Sequence, residues 1–308
     1  MFLSRLTIDV GDNPDRPRPG RLWLRNLYRV HQRLCMGFPS DSRKSTDRDF
    51  LSPYCPEDFP EQRHLADRSA KEVEQEILKD VHARRDVDRG FLFRIDPQPG
   101  GRVVILVQSA KKPDWDYAFH NASHLLAAPW ECKEIDPCFT EGQRLRFRFV
   151  ANPTKKIGTI KKKERLGYTK DELRAVKGRH GKRIPVPSVD EIEKWHRDNP
   201  NEDVRTFICS KLLDWLAHQA EISGFSLERD FITVQPGYSY FKKPGNGSTE
   251  EREDKRKYDE ARPRSVRYEG ILRVTDPERL KEILIRGIGP GKAFGFGLIS
   301  VAPSRPSS

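Results

Sequence analysis

Residues 287–297 read Gly-Ile-Gly-Pro-Gly-Lys-Ala-Phe-Gly-Phe-Gly, and no other stretch limits the fold so sharply. Five glycines, Gly287, Gly289, Gly291, Gly295 and Gly297, surround one cation, Lys292. Glycine admits positive φ and lets a second backbone come close. Successive exposed N–H groups in such a loop can hold a phosphate or pin a neighbouring segment. A helical pattern precedes the loop and a short apolar strand, Leu298–Val301, follows it. A dinucleotide site needs the reverse order, strand then loop then helix, and a third glycine where Lys292 stands. A Walker A loop fails as well, because its first glycine falls on Arg286 and Ala293 replaces the Ser/Thr. The segment is therefore a glycine loop that binds neither NAD nor ATP, and no cofactor is expected.

The surrounding chain is strongly basic. Its 308 residues carry a net charge of +11, with a pI of about 9.4, and only 35% are hydrophobic. That balance favours a polyanionic partner and small cores interrupted by polar insertions. No apolar run approaches the roughly 18 residues of a membrane span. The opening Met-Phe-Leu-Ser-Arg-Leu-Thr-Ile-Asp-Val reads as a strand, not as a signal peptide. Five cysteines at 35, 55, 132, 138 and 209 form no C-x-x-C pair. They point to a reducing cytoplasm and to no structural zinc.

Hydrophobic periodicity predicts one element order used twice. Over residues 1–140 it predicts a strand at 2–10, a helix at 21–38, strands at 91–95 and 102–108, a helix at 116–126 and a strand at 131–139. Residues 40–88 interrupt this order as a charged insertion with one candidate helix at 69–84. Over 141–308 it predicts a strand at 144–152, helical residues 189–223, strands at 230–235 and 265–274, a helix at 277–286 and a strand at 298–301. Two tandem βαββαβ units make an α+β, ferredoxin-like (RRM-like) arrangement.

Basic charge is segregated within this plan. Residues 155–183 hold twelve Lys/Arg against three acids, and 242–263 form a mixed Gly/Lys/Arg/Glu hairpin insertion. The first imbalance favours contact with polyphosphate over a plain solvated loop. The second reads equally well as a solvated loop.

Few residues suit chemistry. On the 21–38 helix, Tyr28 and His31 are three apart and project to one side. An imidazole titrating near neutrality beside a phenol can move protons. His31 also borders the apolar stripe of Leu27 and Leu34, which suits a core histidine. His120 and His124 have the i, i+4 spacing of zinc ligands, but Asn121 stands where a metalloprotease has glutamate and no third ligand is evident, so no metal is expected. Tyr238, Tyr240 and Phe241 precede two lysines and fit either base stacking or a core strand. No G-x-S-x-G occurs, and no cysteine has a recognisable catalytic context.

Several separated pieces match one family: Met-Phe-Leu-Ser-Arg at the start, Asn-Leu-Tyr28-Arg-Val-His31-Gln, Phe38-Pro39, Phe91-Leu-Phe-Arg94, Val107-Gln108-Ser109, the run Phe147 to Lys155, Tyr268-Glu-Gly-Ile-Leu272 and the glycine loop to Leu298. In this order they resemble CasE, the family of CRISPR RNA-processing endoribonucleases of the type I-E Cascade complex. Unlike family members of some two hundred residues, this chain carries insertions near 40–88, 156–183 and 242–263. The resemblance implies two ferredoxin-like domains and metal-independent cleavage at the base of the repeat RNA hairpin. It also implies a 2′,3′-cyclic phosphate product, retention of the cut RNA, and assembly with other Cascade subunits. By motif, His31 becomes the general acid/base and Tyr28 its partner. A phosphate-steadying cation is implied among Arg262, Arg264 and Arg267, with Arg264 taken as catalytic. The expected RNA grips are Lys155, Lys156, Lys161, Lys162, Lys163, Arg179, Lys182, Arg183, Arg262, Arg267 and Lys292. The competing readings are a non-catalytic RNA-binding subunit of a ribonucleoprotein and a structural protein that contacts partner subunits.

Overall fold

In the computed structural model, residues 1–12, 18–39, 90–99, 102–156, 183–239, 241–243, 259–261 and 263–304 are described. The first sheet contains β1 (Phe2–Ile8), β2 (Phe91–Pro97), β3 (Val103–Ser109) and β4 (Glu131–Glu134) in the order β2-β3-β1-β4. All of its pairings are antiparallel. Helices α1 (Pro19–Leu24) and α2 (Leu27–Cys35) lie between β1 and β2. Helix α3 (Trp115–Phe119) continues as a 3-10 turn to Leu125 and lies between β3 and β4.

The second sheet is built on β5 (Arg144–Ala151). A small two-stranded ribbon follows, β6 (Thr154–Lys156) with β7 (Arg183–Pro185). Then come helices α4 (Val189–Asp198) and α5 (Val204–Ile222), and strands β8 (Phe225–Leu227) and β9 (Thr233–Tyr238). A hairpin stem pairs β10 (Phe241–Lys243) with β11 (Asp259–Ala261). Strand β12 (Arg264–Val274), helix α6 (Pro277–Arg286) and β13 (Ile299–Pro303) complete the unit. The order is β13-β5-β12-β8, with β9 also on β12. Both sheets thus carry the ferredoxin-like 4-1-3-2 arrangement, and the fold is two tandem units of it.

Each sheet buries one face against its own helices. In β5, Leu145, Phe147, Phe149 and Ala151 point to the core with Leu212, Leu216, Tyr268 and Leu280, while Arg144, Arg146 and Arg148 alternate outward. The period of two follows directly from the pleat. Burying one such phenylalanine contributes about 1.5–3 kcal/mol. The first core gathers Leu6, Ile8, Val30, Leu34, Phe93, Ile105 and Trp115.

Two predicted helices are each broken in two. The 21–38 helix stops at Leu24 and restarts at Leu27, because Asn26 turns extended (φ −119°, ψ 97°) and its side chain accepts the Tyr28 N–H. An asparagine favours this capping geometry over a helix interior. The 189–223 helix breaks between Asp198 and Val204, where Asn199-Pro200 ends α4 and the Asp203 side chain caps α5. Proline removes the N–H that a continuous helix needs. Ser188 and Glu191 form a reciprocal capping box that starts α4. The strand predicted at 131–139 ends at Glu134, and the one predicted at 230–235 runs instead over Thr233–Tyr238, after a 3-10 turn. The candidate helix at 69–84 lies outside the described residues.

Candidate active site

The Asn26 cap sets the start of α2 and therefore the side to which Tyr28 and His31 point. Both side chains are buried, at 9% and 7% exposure. The His31 ring stacks on Phe91, with centroids 5.5 Å apart, and lies 6.4 Å from Phe93. Cys35, one helical turn on, brings its Sγ 3.5 Å from Nε2 of His31. An aromatic wall of two β2 residues thus fixes the imidazole plane.

Strand β2 is the edge of the first sheet, and the glycine loop wraps around it. A Cβ at Gly287 would lie 2.8 Å from Leu92, whose side chain is on one face of β2. A Cβ at Gly295 would lie 3.1 Å from Phe93, on the opposite face. Gly295 has φ +81°, a conformation that disfavours any side chain. The loop closes on itself through Ile288 N–H to Gly297 O (3.0 Å) and is tied to the second sheet by Gly297 N–H to Val150 O (2.7 Å). Covering a bare strand edge also removes a site for unwanted pairing.

The wrapping delivers the 3-10 turn Lys292–Phe294 against α2 and β2. Lys292 is half-buried, and burial, helped by the charge of Arg286, pushes its ammonium pKa below the usual lysine range. An ammonium that has lost part of its water in this way gains from an arriving phosphate oxygen. The hairpin stem of β10 approaches α2 as well. The helix that carries Tyr28 and His31 and the turn that carries Lys292 therefore come together from two separate stretches of sequence.

Other expected site residues are placed elsewhere. Arg264 does not reach this cluster with its Nη1, which donates to the carbonyls of Val186 (2.6 Å) and Pro187 (3.2 Å) and anchors the start of α4. Arg267 points to the junction of the sheets, 3.5 Å from Asp96 and 3.6 Å from Glu269. Lys155 forms a 2.6 Å ion pair with Glu191, and the hydrogen bond from Lys155 is the main cause holding that carboxyl down at about 2. Arg183 donates to the Thr154 hydroxyl at 3.2 Å, whereas Lys156 is exposed. Lys161, Lys162, Lys163, Arg179, Lys182 and Arg262 lie outside the described residues.

His120 and His124 sit exposed on the 3-10 turn, which kinks at Ala122. A 3-10 turn has three residues per turn, so the i, i+4 spacing no longer puts them on one face. Tyr238 is 73% exposed at the sheet edge rather than in a core. The buried phenol in the second unit is Tyr268, whose pKa burial raises and whose OH donates to Leu212 O at 3.1 Å; it is structural.

The residue that periodicity alone left unnoticed is Arg94. It is 3% exposed, grips Asp96 through Nε and Nη2 (2.9 and 2.8 Å), and donates from Nη1 to Arg148 O and Leu298 O. Its signal was available: Arg94 and Asp96 alternate with Phe93 and Ile95, which places both charges on one face of a strand.

Comparison with known proteins supplies the lineage. A curated relative from Thermus thermophilus, CRISPR-associated endoribonuclease Cse3, is 29% identical over 214 residues, covering 69% of this chain and 80% of its own. The CRISPR system Cascade subunit CasE of Escherichia coli is 24% identical over 305 residues, covering 98% of this chain and all of its own. The solved structure of Cse3 bound to a 19 nt RNA superposes with a TM-score of 0.56 at 25% identity, over 98% of this chain and 100% of that one. The family model described as CRISPR associated protein matches residues 62–303, and the chain belongs to that family.

Proposed function

We propose that this chain is a metal-independent endoribonuclease that binds the CRISPR repeat hairpin and cuts it by intramolecular attack. The cut RNA stays bound, and the protein serves as a Cascade subunit. The observation that carries this reading is the approach of the turn that carries Lys292 to the helix that carries Tyr28 and His31, at the edge of β2, in a chain similar to an endoribonuclease solved with RNA. The 2′-hydroxyl of the nucleotide before the cut attacks the adjacent phosphorus. A P–O2′ bond forms, the P–O5′ bond breaks, and a 2′,3′-cyclic phosphate remains. The protein need only accept one proton, donate another and steady the extra charge.

His31 acts as general acid/base, and Tyr28 orients the 2′-hydroxyl or the leaving oxygen. Lys292 takes the role of phosphate cation in place of Arg264, whose Nη1 is committed to two carbonyls. The RNA stem is gripped through phosphates and 2′-hydroxyls, as A-form geometry requires. Lys156, Arg183 and the 157–182 tract supply the charge. Two units of 1–140 and 141–308 divide the work, and a cytoplasmic setting suits the free cysteines at 35, 132, 138 and 209.

One observation favours a second reading, a non-catalytic RNA-binding subunit: His31 is 7% exposed and packed against Phe91. The deciding experiment is incubation of the protein with a repeat hairpin in EDTA, with and without deoxyribose at the scissile nucleotide. We expect cleavage of the ribose substrate, and binding without cleavage of the deoxy one. Retention of both uncut supports the second reading, and cutting of the deoxy substrate overturns the intramolecular attack.

A further inference from the structure

Strand β2 has two working faces. Phe91 and Phe93 on one face hold the His31 ring. Arg94 and Asp96 on the other are buried where the two sheets meet, with side-chain exposures of 4% and 8%. The Asp96 carboxylate holds the Arg94 fork in place, leaving Nη1 to donate to Arg148 O at 2.9 Å and Leu298 O at 3.2 Å. Leu298 directly follows Gly297, so that bond anchors the downstream end of the loop that carries Lys292. Arg267 approaches Asp96 from β12 and completes the junction.

Resting on the reading of the site proposed above, we infer that Arg94 is a positioning residue for RNA cleavage: through Asp96 and Leu298 O it fixes the glycine loop, and with it Lys292, relative to the strand that seats His31. The Arg94 guanidinium is committed to Asp96 and to the carbonyls of Arg148 and Leu298. Its effect must pass through geometry. A guanidinium meets this task because one rigid fork satisfies a carboxylate bidentately and still reaches two carbonyls. A lysine keeps the charge beside Asp96 but cannot hold all four oxygens.

The test is Arg94→Lys, measured by single-turnover cleavage, hairpin affinity and hydrogen exchange of the Ile288 and Gly297 amides. Small misplacement of a reacting group can cost about 10²-fold in rate. We expect cleavage slowed by about that factor, affinity changed less than about threefold because the loss is confined to the reacting geometry, and faster exchange at both amides. The Lys292→Ala background separates positioning from general damage. There, Arg94→Lys should slow cleavage far less, because residues acting as one unit are not additive. Normal cleavage, an equal loss of affinity and rate, or full additivity with Lys292→Ala overturns the inference.

If Arg94→Lys melts below the assay temperature, Asp96→Asn replaces it, with the same pattern expected. If the wild-type protein proves unable to cut RNA, the proposed function fails. The amide exchange still decides the clamp: unchanged protection at Ile288 and Gly297 overturns it.

Discussion

Helix α2 of the first unit and the main helix of the second, α5, occupy the same place in the same fold, yet their residues differ in kind. Helix α5 fills its buried side with Leu212, Trp215, Leu216 and Ala220, all of them core. Helix α2 spends two of its four buried positions on Tyr28 and His31. The sheets differ as well. The second sheet turns Arg144, Arg146 and Arg148 to its open face, paired in part with Glu228 and Glu269. The first buries Arg94, Asp96 and Gln108 on the corresponding side. Gln108 there donates to Leu284 O of α6. Under the proposed mechanism, one unit is a scaffold whose glycine loop reaches across, and the other holds the chemistry that the loop completes. Topology gives each unit its shape, and function follows from which side chains are set on it.

Parallel cuts in the two helices should break that symmetry most visibly. His31→Ala should slow cleavage by roughly 10²–10⁴-fold, the usual worth of general acid–base catalysis, with hairpin affinity nearly unchanged. Leu212→Ala should cost about 2–5 kcal/mol of stability, as fully buried leucines do. Below its lowered melting point that variant should still cut at the normal rate. Single-turnover kinetics and thermal melts on both variants check the contrast. A His31→Ala protein that processes RNA normally would return His31 to the core.

The loop that joins the units comes next. Gly295→Val forces a β-branched residue to φ +81° with its Cβ against Phe93. Such strain costs on the order of 1–3 kcal/mol. Both a lower melting temperature and weaker cleavage are expected, since the displaced loop carries Lys292 with it. Lys292→Ala should leave the melt unchanged, weaken hairpin binding modestly and slow cleavage by about 10²-fold, the upper worth of one hydrogen bond to a charged group. Added ATP or NAD should shift neither property.

How much of this was legible beforehand follows from the range of each signal. Alternation in Arg144–Ala151 and the proline start of Pro277–Arg286 are local patterns, and both elements appear where periodicity put them. The breaks at Asn26 and Asn199-Pro200 were also local, but strong apolar spacing on both sides outweighed one capping residue. The Tyr28–His31 pair was readable because i, i+3 spacing fixes a shared helix face. The place of His31 beside Leu27 and Leu34 also suited a buried histidine, but the stacking on Phe91 and Phe93 was not legible, because those rings arrive from some sixty residues away by count of the sequence. The same range limit holds for Arg264: nothing near it in sequence reveals the Val186 and Pro187 carbonyls that its Nη1 meets.

Smaller effects should separate the basic residues of the ribbon. Each lost phosphate contact flattens the slope of log K against log salt by about 0.7–0.9. Neutralising Lys161, Lys162 and Lys163 together should flatten it by about two if all three meet RNA. Lys156→Ala should give close to one contact's worth and Lys155→Ala distinctly less, because Lys155 already faces Glu191 at 2.6 Å. Equal slopes for the two single variants would show that the ion pair opens on binding.

The smallest expected effect concerns that pair itself in the absence of RNA. Glu191 titrates at about 2 against an ordinary 4.5, chiefly through the Lys155 hydrogen bond, with help from the Ser188 cap and against the opposing pull of burial. A depressed carboxylate contributes stability that is fully present above its unfolded value and is lost as pH falls through its folded one. The window here is therefore pH 4.5 down to about 2. Since both partners are nearly half exposed, solvent screening keeps the contribution small. In Lys155→Met the Glu191 midpoint should rise toward 4.5, though not reach it, because the Ser188 bonds remain. Side-chain carboxyl chemical shifts followed through an acid titration measure this directly. An unmoved midpoint would assign the depression to the cap alone and leave Lys155 free to grip RNA as fully as Lys156.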